Sequence, residues 1–293
     1  SYMTTLTITG RRPLIIATED DLEIDGTIVT APSTDPQNLG WQAGGPPGPS
    51  QVMSVGMCAL DMPGIGGGNP GQTGIGSGGG SFCGIGGAGS ALYVAPVDGG
   101  TDAGTGPSGG AAYGTDDLVP LAGGSSGGST NATDATNHGG GAIELVAGTK
   151  VTIGMSGVLN VGGGGSSLAY GIGGGSGGGI LLEAPNVVVQ GVLAANGGSG
   201  SNNYMGGQSG LASAQSAVNQ LNNGPLGGNG SAGANVDGKD GTTLGNYPIG
   251  GGGGGGAGRI RVNTGCGGKL SQNGGAIISP STTTTCFSTG TLK

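Results

Sequence analysis

Glycine fills 78 of the 293 positions of this chain, and that single fact removes most folds from consideration. Each glycine costs about 0.5–1 kcal/mol more than alanine to hold in a helix or strand. A helical bundle is therefore excluded, and an ordered structure needs a cooperative backbone interaction to offset the lost entropy. Disorder is the obvious alternative for such a composition. It is disfavoured because mean hydropathy is slightly positive (+0.02), only 8% of residues are charged, and the apolar residues gather in a few β-branched runs, whereas disordered chains are typically apolar-poor and highly charged.

Those runs share a template of apolar residues at every second position, the signature of half-buried strands. Pro13-Leu14-Ile15-Ile16-Ala17 leads to Leu22, Ile24, Gly26 and Ile28. Ala142 to Ala147 leads to Val151, Ile153, Met155, Gly157, Leu159 and Val161. Ile180 to Pro185 leads to Val187, Val189, Gly191, Leu193 and Ala195. Aligned on Gly26, Gly157 and Gly191, positions −4, −2 and +2 are all aliphatic or Met. A degenerate fourth copy runs from Arg259-Ile260-Arg261-Val262-Asn263 through Leu270 to Ala276-Ile277-Ile278. Gly157 and Gly191 lie 34 residues apart, a spacing at which stacked repeats are considered.

Between the runs lie glycine-rich tracts too long for plain coil. Glycine instead supports the extended, three-residue-per-turn polyproline II helix, whose N–H and C=O groups are all free for neighbours. The expected fold class is all-β or irregular: β-solenoid-like strand pairs combined with packed polyglycine helices, and almost no α-helix. A continuous solenoid with the tracts as turns is the competing structure. A single domain is expected over 1–293, divided into N-terminal strands (1–31), a glycine tract (32–141), strand repeats (142–200), a second tract (201–258) and C-terminal strands (259–293).

The segments GGGILLEAPNVVVQGVLAANGGSG (177–200), RRPLIIAT with LEIDGTI (11–28) and GGGGGGGAGRIRVNTG (250–265) resemble a family of glycine-rich secreted proteins and lipoproteins of myxobacteria and related bacteria. The resemblance implies an envelope or extracellular location and no particular chemistry; where the family's usual pattern opens on a lipoprotein Cys, the sequence as given opens on Ser1. In composition alone the chain is similar to glycine-rich adhesin tips of phage long tail fibres and to glycine-rich antifreeze proteins, both of which use packed polyglycine helices.

A formal charge of −8 with no basic stripe argues against nucleic acid as a partner. No apolar stretch is long enough for a membrane-spanning helix. The start at Ser1 is that expected of a mature product whose targeting segment has been removed. Cys58, Cys83, Cys266 and Cys286 allow three disulfide pairings. The local one, Cys58–Cys83 with Cys266–Cys286, closes loops of about 20–25 residues. With neither CxxC pairs nor His partners, disulfides and an extracellular setting are expected rather than zinc.

Candidate chemistry is sparse. His138, the only histidine, is expected in an exposed loop. Glu19, Asp20, Asp21, Glu23 and Asp25 form the one dense acidic cluster. Asp21, Glu23 and Asp25 offer a Ca²⁺ site, the sole cofactor suggested, or a carboxylate pair for glycoside cleavage; their alternation with Leu22 and Ile24 also fits the solvent face of a strand. Arg11, Arg12, Arg259 and Arg261 either meet that acidic face, in the same or a neighbouring subunit, or serve as ordinary solubilising charges on edge strands. Leu6 and Ile8 alternate with Thr in a terminal segment that forms either a first strand or a donor to another subunit's sheet edge. The leading functional expectation is a non-enzymatic, secreted structural protein that associates with itself into a fibre or surface layer. An adhesin binding a glycan or cell-surface receptor through loop tips that carry Tyr93, Tyr113, Tyr170 and Tyr204 is the second, and a polysaccharide-active β-solenoid enzyme the third.

Overall fold

The computed structural model describes residues 4–10, 12–31, 65–71, 75–91, 106–129, 137–166, 170–202, 204–219, 227–243 and 250–292. Among them are fourteen strands and no helix. The strands are β1 (Thr5–Ile8), β2 (Leu14–Thr18), β3 (Leu22–Ile24), β4 (Thr27–Thr30), β5 (Ala142–Ala147), β6 (Lys150–Ile153), β7 (Val158–Asn160), β8 (Gly179–Ala184), β9 (Asn186–Val189), β10 (Val192–Ala194), β11 (Arg259–Thr264), β12 (Leu270–Gln272), β13 (Ile277–Ser279) and β14 (Phe287–Thr291).

The strands form three sheets, ordered β1-β4-β7-β10-β13, β14-β11-β8-β5-β2 and β12-β9-β6-β3. The chain visits the sheets in constant rotation, and each strand lies parallel to the one three strands earlier. Equivalent apolar residues therefore stack in rows: Leu14, Ile143, Ile180, Ile260 and Phe287 in one sheet, Leu22, Val151, Val187 and Leu270 in another. A third row joins Leu6, Ile28, Leu159, Leu193 and Ile278. Rows from all three sheets feed one buried apolar cluster.

The register corrects the sequence template at one copy. Leu22 pairs with Val151 and Ile24 with Ile153, whereas the glycine alignment placed Ile153 and Met155 at those positions. Two additional residues sit between Ile153 and Gly157, and Met155 is 86% exposed rather than inward.

The described glycine tracts all enter at the same step of the rotation. They leave β4, β7 and β10 of the first sheet and return at β5, β8 and β11 of the second; the other two steps take no more than five residues. Hydrogen bonding within the tracts follows a period of three. The N–H groups of Gly173 and Ser176 donate to the carbonyls of Gly128 and Ser125, those of Gly174 and Gly177 to Gly253 and Gly256, and those of Gly175 and Gly178 to Gly164 and Val161, all at 2.8–3.0 Å. The 251–257 tract repeats the pattern: Gly252 and Gly255 donate to Ser201 and Gly198, Gly253 and Gly256 to Ser77 and Gly80, and Gly254 and Ala257 to Lys239 and Val236. Each of these two stretches is thus bonded to three neighbours in turn.

Such spacing leaves no room for a side chain. A Cβ on Gly175 would lie 1.9 Å from the His138 carbonyl oxygen, and one on Gly255 1.9 Å from that of Gly175. Gly175→Ala is therefore expected to destabilise the fold by more than about 4 kcal/mol. Gly274→Ala, at a position with nothing within 4 Å, is expected to stay within about 0.5 kcal/mol of the parent. Thermal denaturation of the two variants checks the contrast.

Candidate functional site

The glycine array meets the strands on the outer face of the sheet β14-β11-β8-β5-β2. Leu181 points outward from β8 and is buried under Phe82 and Leu118, with Tyr113, Leu121 and Ala122 alongside. The Phe82 and Tyr113 rings lie 4.8 Å apart. Burial drives the Tyr113 hydroxyl up to about 12; it donates to the Gly123 carbonyl at 2.7 Å and accepts from Ser125 Oγ at 3.0 Å. Arg259, from β11, lies over the Phe82 ring at 5.7 Å. Its guanidinium pairs with Asp116 at 2.6 Å and donates to the Tyr113 and Gly114 carbonyls. Cys83–Cys286 then ties the array to the segment entering β14.

Beside this junction the same sheet face carries a half-buried polar group. Glu144 of β5 and Glu183 of β8 are diagonal neighbours, since Glu183 is paired with Val146. Asn263 donates to Glu183 Oε1 at 2.7 Å, and Arg261 Nε donates to Asn263 Oδ1 at 2.8 Å. The Arg261 guanidinium lies against bare backbone at Gly290, where a Cβ would fall 1.9 Å from Nη2. Burial raises the Glu144 pKa, and the neighbouring Glu183 carboxylate raises it further. Glu183 is thus held by Asn263, which Arg261 holds in turn, with Glu144 beside it on the same face. Sequence reading missed this group; its signal is that each glutamate is the one charged residue in its run, AIELVA and GILLEA.

The residues singled out in the sequence are dispersed. Asp21, Glu23 and Asp25 all face solvent. Among the described residues no three His, Cys, Asp or Glu side chains are placed to hold a metal. Of the three, Asp21 accepts from Thr149 Oγ1 and pairs with Lys150 at 3.0 Å, contacts that hold its carboxyl below the usual range. Lys150, rather than an arginine, meets the acidic face. Arg259 pairs with Asp116 and Arg261 with Asn263, both projecting from β11, which lies three strands from β2 and in a different sheet from β3; Arg12 is exposed, and Arg11 lies outside the described residues.

The disulfide also differs from the local pairing. Cys83 bonds Cys286 across 203 residues, because the array folds back on the last strands. Cys266 is an exposed free thiol, and Cys58 lies outside the described residues. His138 is 4% exposed rather than on a loop surface: it sits within the array, where its main-chain carbonyl accepts from Gly164. Leu6 and Ile8 belong to β1, which pairs with β4 of its own chain. Of the four tyrosines assigned to loop tips, Tyr113 is in the junction, Tyr170 and Tyr204 are exposed, and Tyr93 lies outside the described residues.

No helix among the described residues is long and apolar enough to cross a membrane. Comparison of the chain with protein families, with curated proteins and with solved structures found no match.

Two outcomes follow from this geometry. Closing a loop of this length is worth about 5 kcal/mol in the chain-entropy account, so Cys83→Ser combined with Cys286→Ser is expected to lower the denaturation midpoint strongly, with reductant reproducing the effect on the parent. For Glu144, a folded-state pKa above the unfolded one means a contribution to stability that is full in acid and lost as pH rises through the folded value. Glu144→Gln is expected to flatten that decline, read as melting temperature against pH.

Proposed function

We propose that the protein is a secreted, non-enzymatic structural protein that assembles into an extracellular fibre or surface layer. In this reading the three parallel sheets are the faces of a β-solenoid, and the glycine tracts are polyglycine helices of the polyproline II type packed against it. The recurrence of hydrogen-bond donors at every third residue supports the second assignment, since that helix has three residues per turn. The constant rotation of strands through three sheets supports the first.

The observation that carries the assembly is the pair of sheet ends. The aliphatic row Leu6, Ile28, Leu159, Leu193, Ile278 runs from one edge of its sheet to the other, and at the β1 edge Leu6 is 49% exposed. Edge strands template the addition of further strands. A second copy adding its β13 edge to β1 extends the row without changing its chemistry. Such a head-to-tail contact is heterologous and builds filaments when it does not close. The resemblance to glycine-rich secreted proteins fits the same role, as does the long-range disulfide, a bond that persists in oxidising surroundings.

A second reading, an adhesin for a glycan or receptor, rests on Tyr170, Tyr204 and Met205, which are 47%, 58% and 43% exposed on loops of the array. The enzyme reading rests on Glu23 and Asp25 of the 19–25 cluster, which line one pocket together, and on the Glu144–Glu183 pair.

Electron microscopy and sedimentation of the purified chain separate these readings. Filaments at high concentration, abolished by Leu6→Lys while the melting temperature is kept, are the expected result. Monodisperse particles at all concentrations overturn the assembly, and glycan binding lost on Tyr204→Ala moves the assignment to the adhesin.

A further inference from the structure

Four Asn–Gly steps occur in the chain, at Asn196, Asn223, Asn229 and Asn273. An asparagine followed by glycine deamidates when the backbone nitrogen of the glycine attacks the side-chain carbonyl carbon, and this needs that nitrogen free and the carboxamide mobile. Asn223 lies outside the described residues. At the other three the structure divides sharply.

Asn196 is fully buried. Its Nδ2 donates to the Leu211 and Ser213 carbonyls at 2.6 and 2.7 Å, its Oδ1 accepts from Ser279 Oγ at 2.5 Å, and the Gly197 N–H donates to Ser231. Asn229 has an exposed side chain, but Gly230 is buried and its N–H donates to the Ala217 carbonyl at 2.9 Å. In both cases the nitrogen that must attack is held within the glycine array.

Asn273 stands apart. It opens the turn between β12 and β13, closed by the Ala276 N–H donating to the Asn273 carbonyl at 3.0 Å, with Gly275 at φ +103°. Residues 271–275 are all exposed. Neither the Asn273 carboxamide nor the Gly274 N–H has a hydrogen-bond partner among the described residues, and nothing lies within 4 Å of where a Gly274 Cβ would be.

We propose that Asn273 is a site of spontaneous deamidation, a reaction that the array blocks at Asn196 and Asn229 and that is open here. The Gly274 nitrogen forms a bond to Asn273 Cγ, the Cγ–Nδ2 bond breaks, and ammonia leaves with the proton from the amide, giving a five-membered succinimide. Water then opens the ring at either carbonyl, yielding aspartate or isoaspartate. Either product places a negative charge at this turn, and isoaspartate also inserts one carbon into the backbone between β12 and β13.

The test is incubation of the folded, full-length chain at mildly alkaline pH, followed by peptide mapping with mass spectrometry. The expected result is amide-to-acid conversion at Asn273, split between two chromatographic isomers, with the Asn196 and Asn229 peptides unchanged until denaturant is added. Gly274→Ala, for which the structure has room, is expected to slow conversion at Asn273 by an order of magnitude while leaving the melting temperature unchanged. Conversion of Asn196 or Asn229 in the folded chain at the rate of Asn273, or an intact Asn273, overturns the proposal.

Discussion

The structure depends on one interaction, the hydrogen bond between glycine-rich backbones that approach too closely for any side chain. A single such bond contributes about 0.5–1.5 kcal/mol net. Its strength here lies in repetition, because a tract that turns its donors to three neighbours in succession leaves almost no backbone group unsatisfied, and a buried unsatisfied group is what a low-side-chain interior can least tolerate. Serine fits this interior where its hydroxyl finds a backbone partner: Ser176 Oγ accepts from the Ser125 N–H and donates to the Ser125 carbonyl.

The strands and the array are complementary solutions to the same scarcity of large side chains. Where aliphatic residues exist, they are concentrated into rows that share one core. Where they do not, backbone bonding takes over. The two meet at a single corner of the rotation, and that is where the chain spends its scarce aromatic, cationic and cysteine residues: Phe82, Tyr113, Arg259 and the Cys83–Cys286 bond.

The strand positions were legible because period-two alternation is a side-chain signal, and Leu22, Ile24 and Ile28 carry it plainly. The same signal misled at Met155, whose apolar side chain imitates a core position two residues out of register. The pairing of the glycine tracts was not legible, since residues without side chains do not encode which neighbour they face. Hidden with it were the partners that depend on it: Arg259 with Asp116, Cys83 with Cys286, and the burial of His138. The Glu144–Glu183 pair escaped for a different reason, because the offset that makes the two glutamates neighbours is set by sheet register rather than by spacing along the chain.

At the border of the array, Asp237 and Asp240 accept from the N–H groups of Ile85 and Ala88 at 2.8 and 2.7 Å, three residues apart on both segments. These carboxylates stand where the carbonyls of another tract would otherwise be. They act as an impurity acts on a crystal face, occupying growth sites with groups that carry no N–H to offer a further strand of backbone, so that at this border the glycine packing stops where the acids fall.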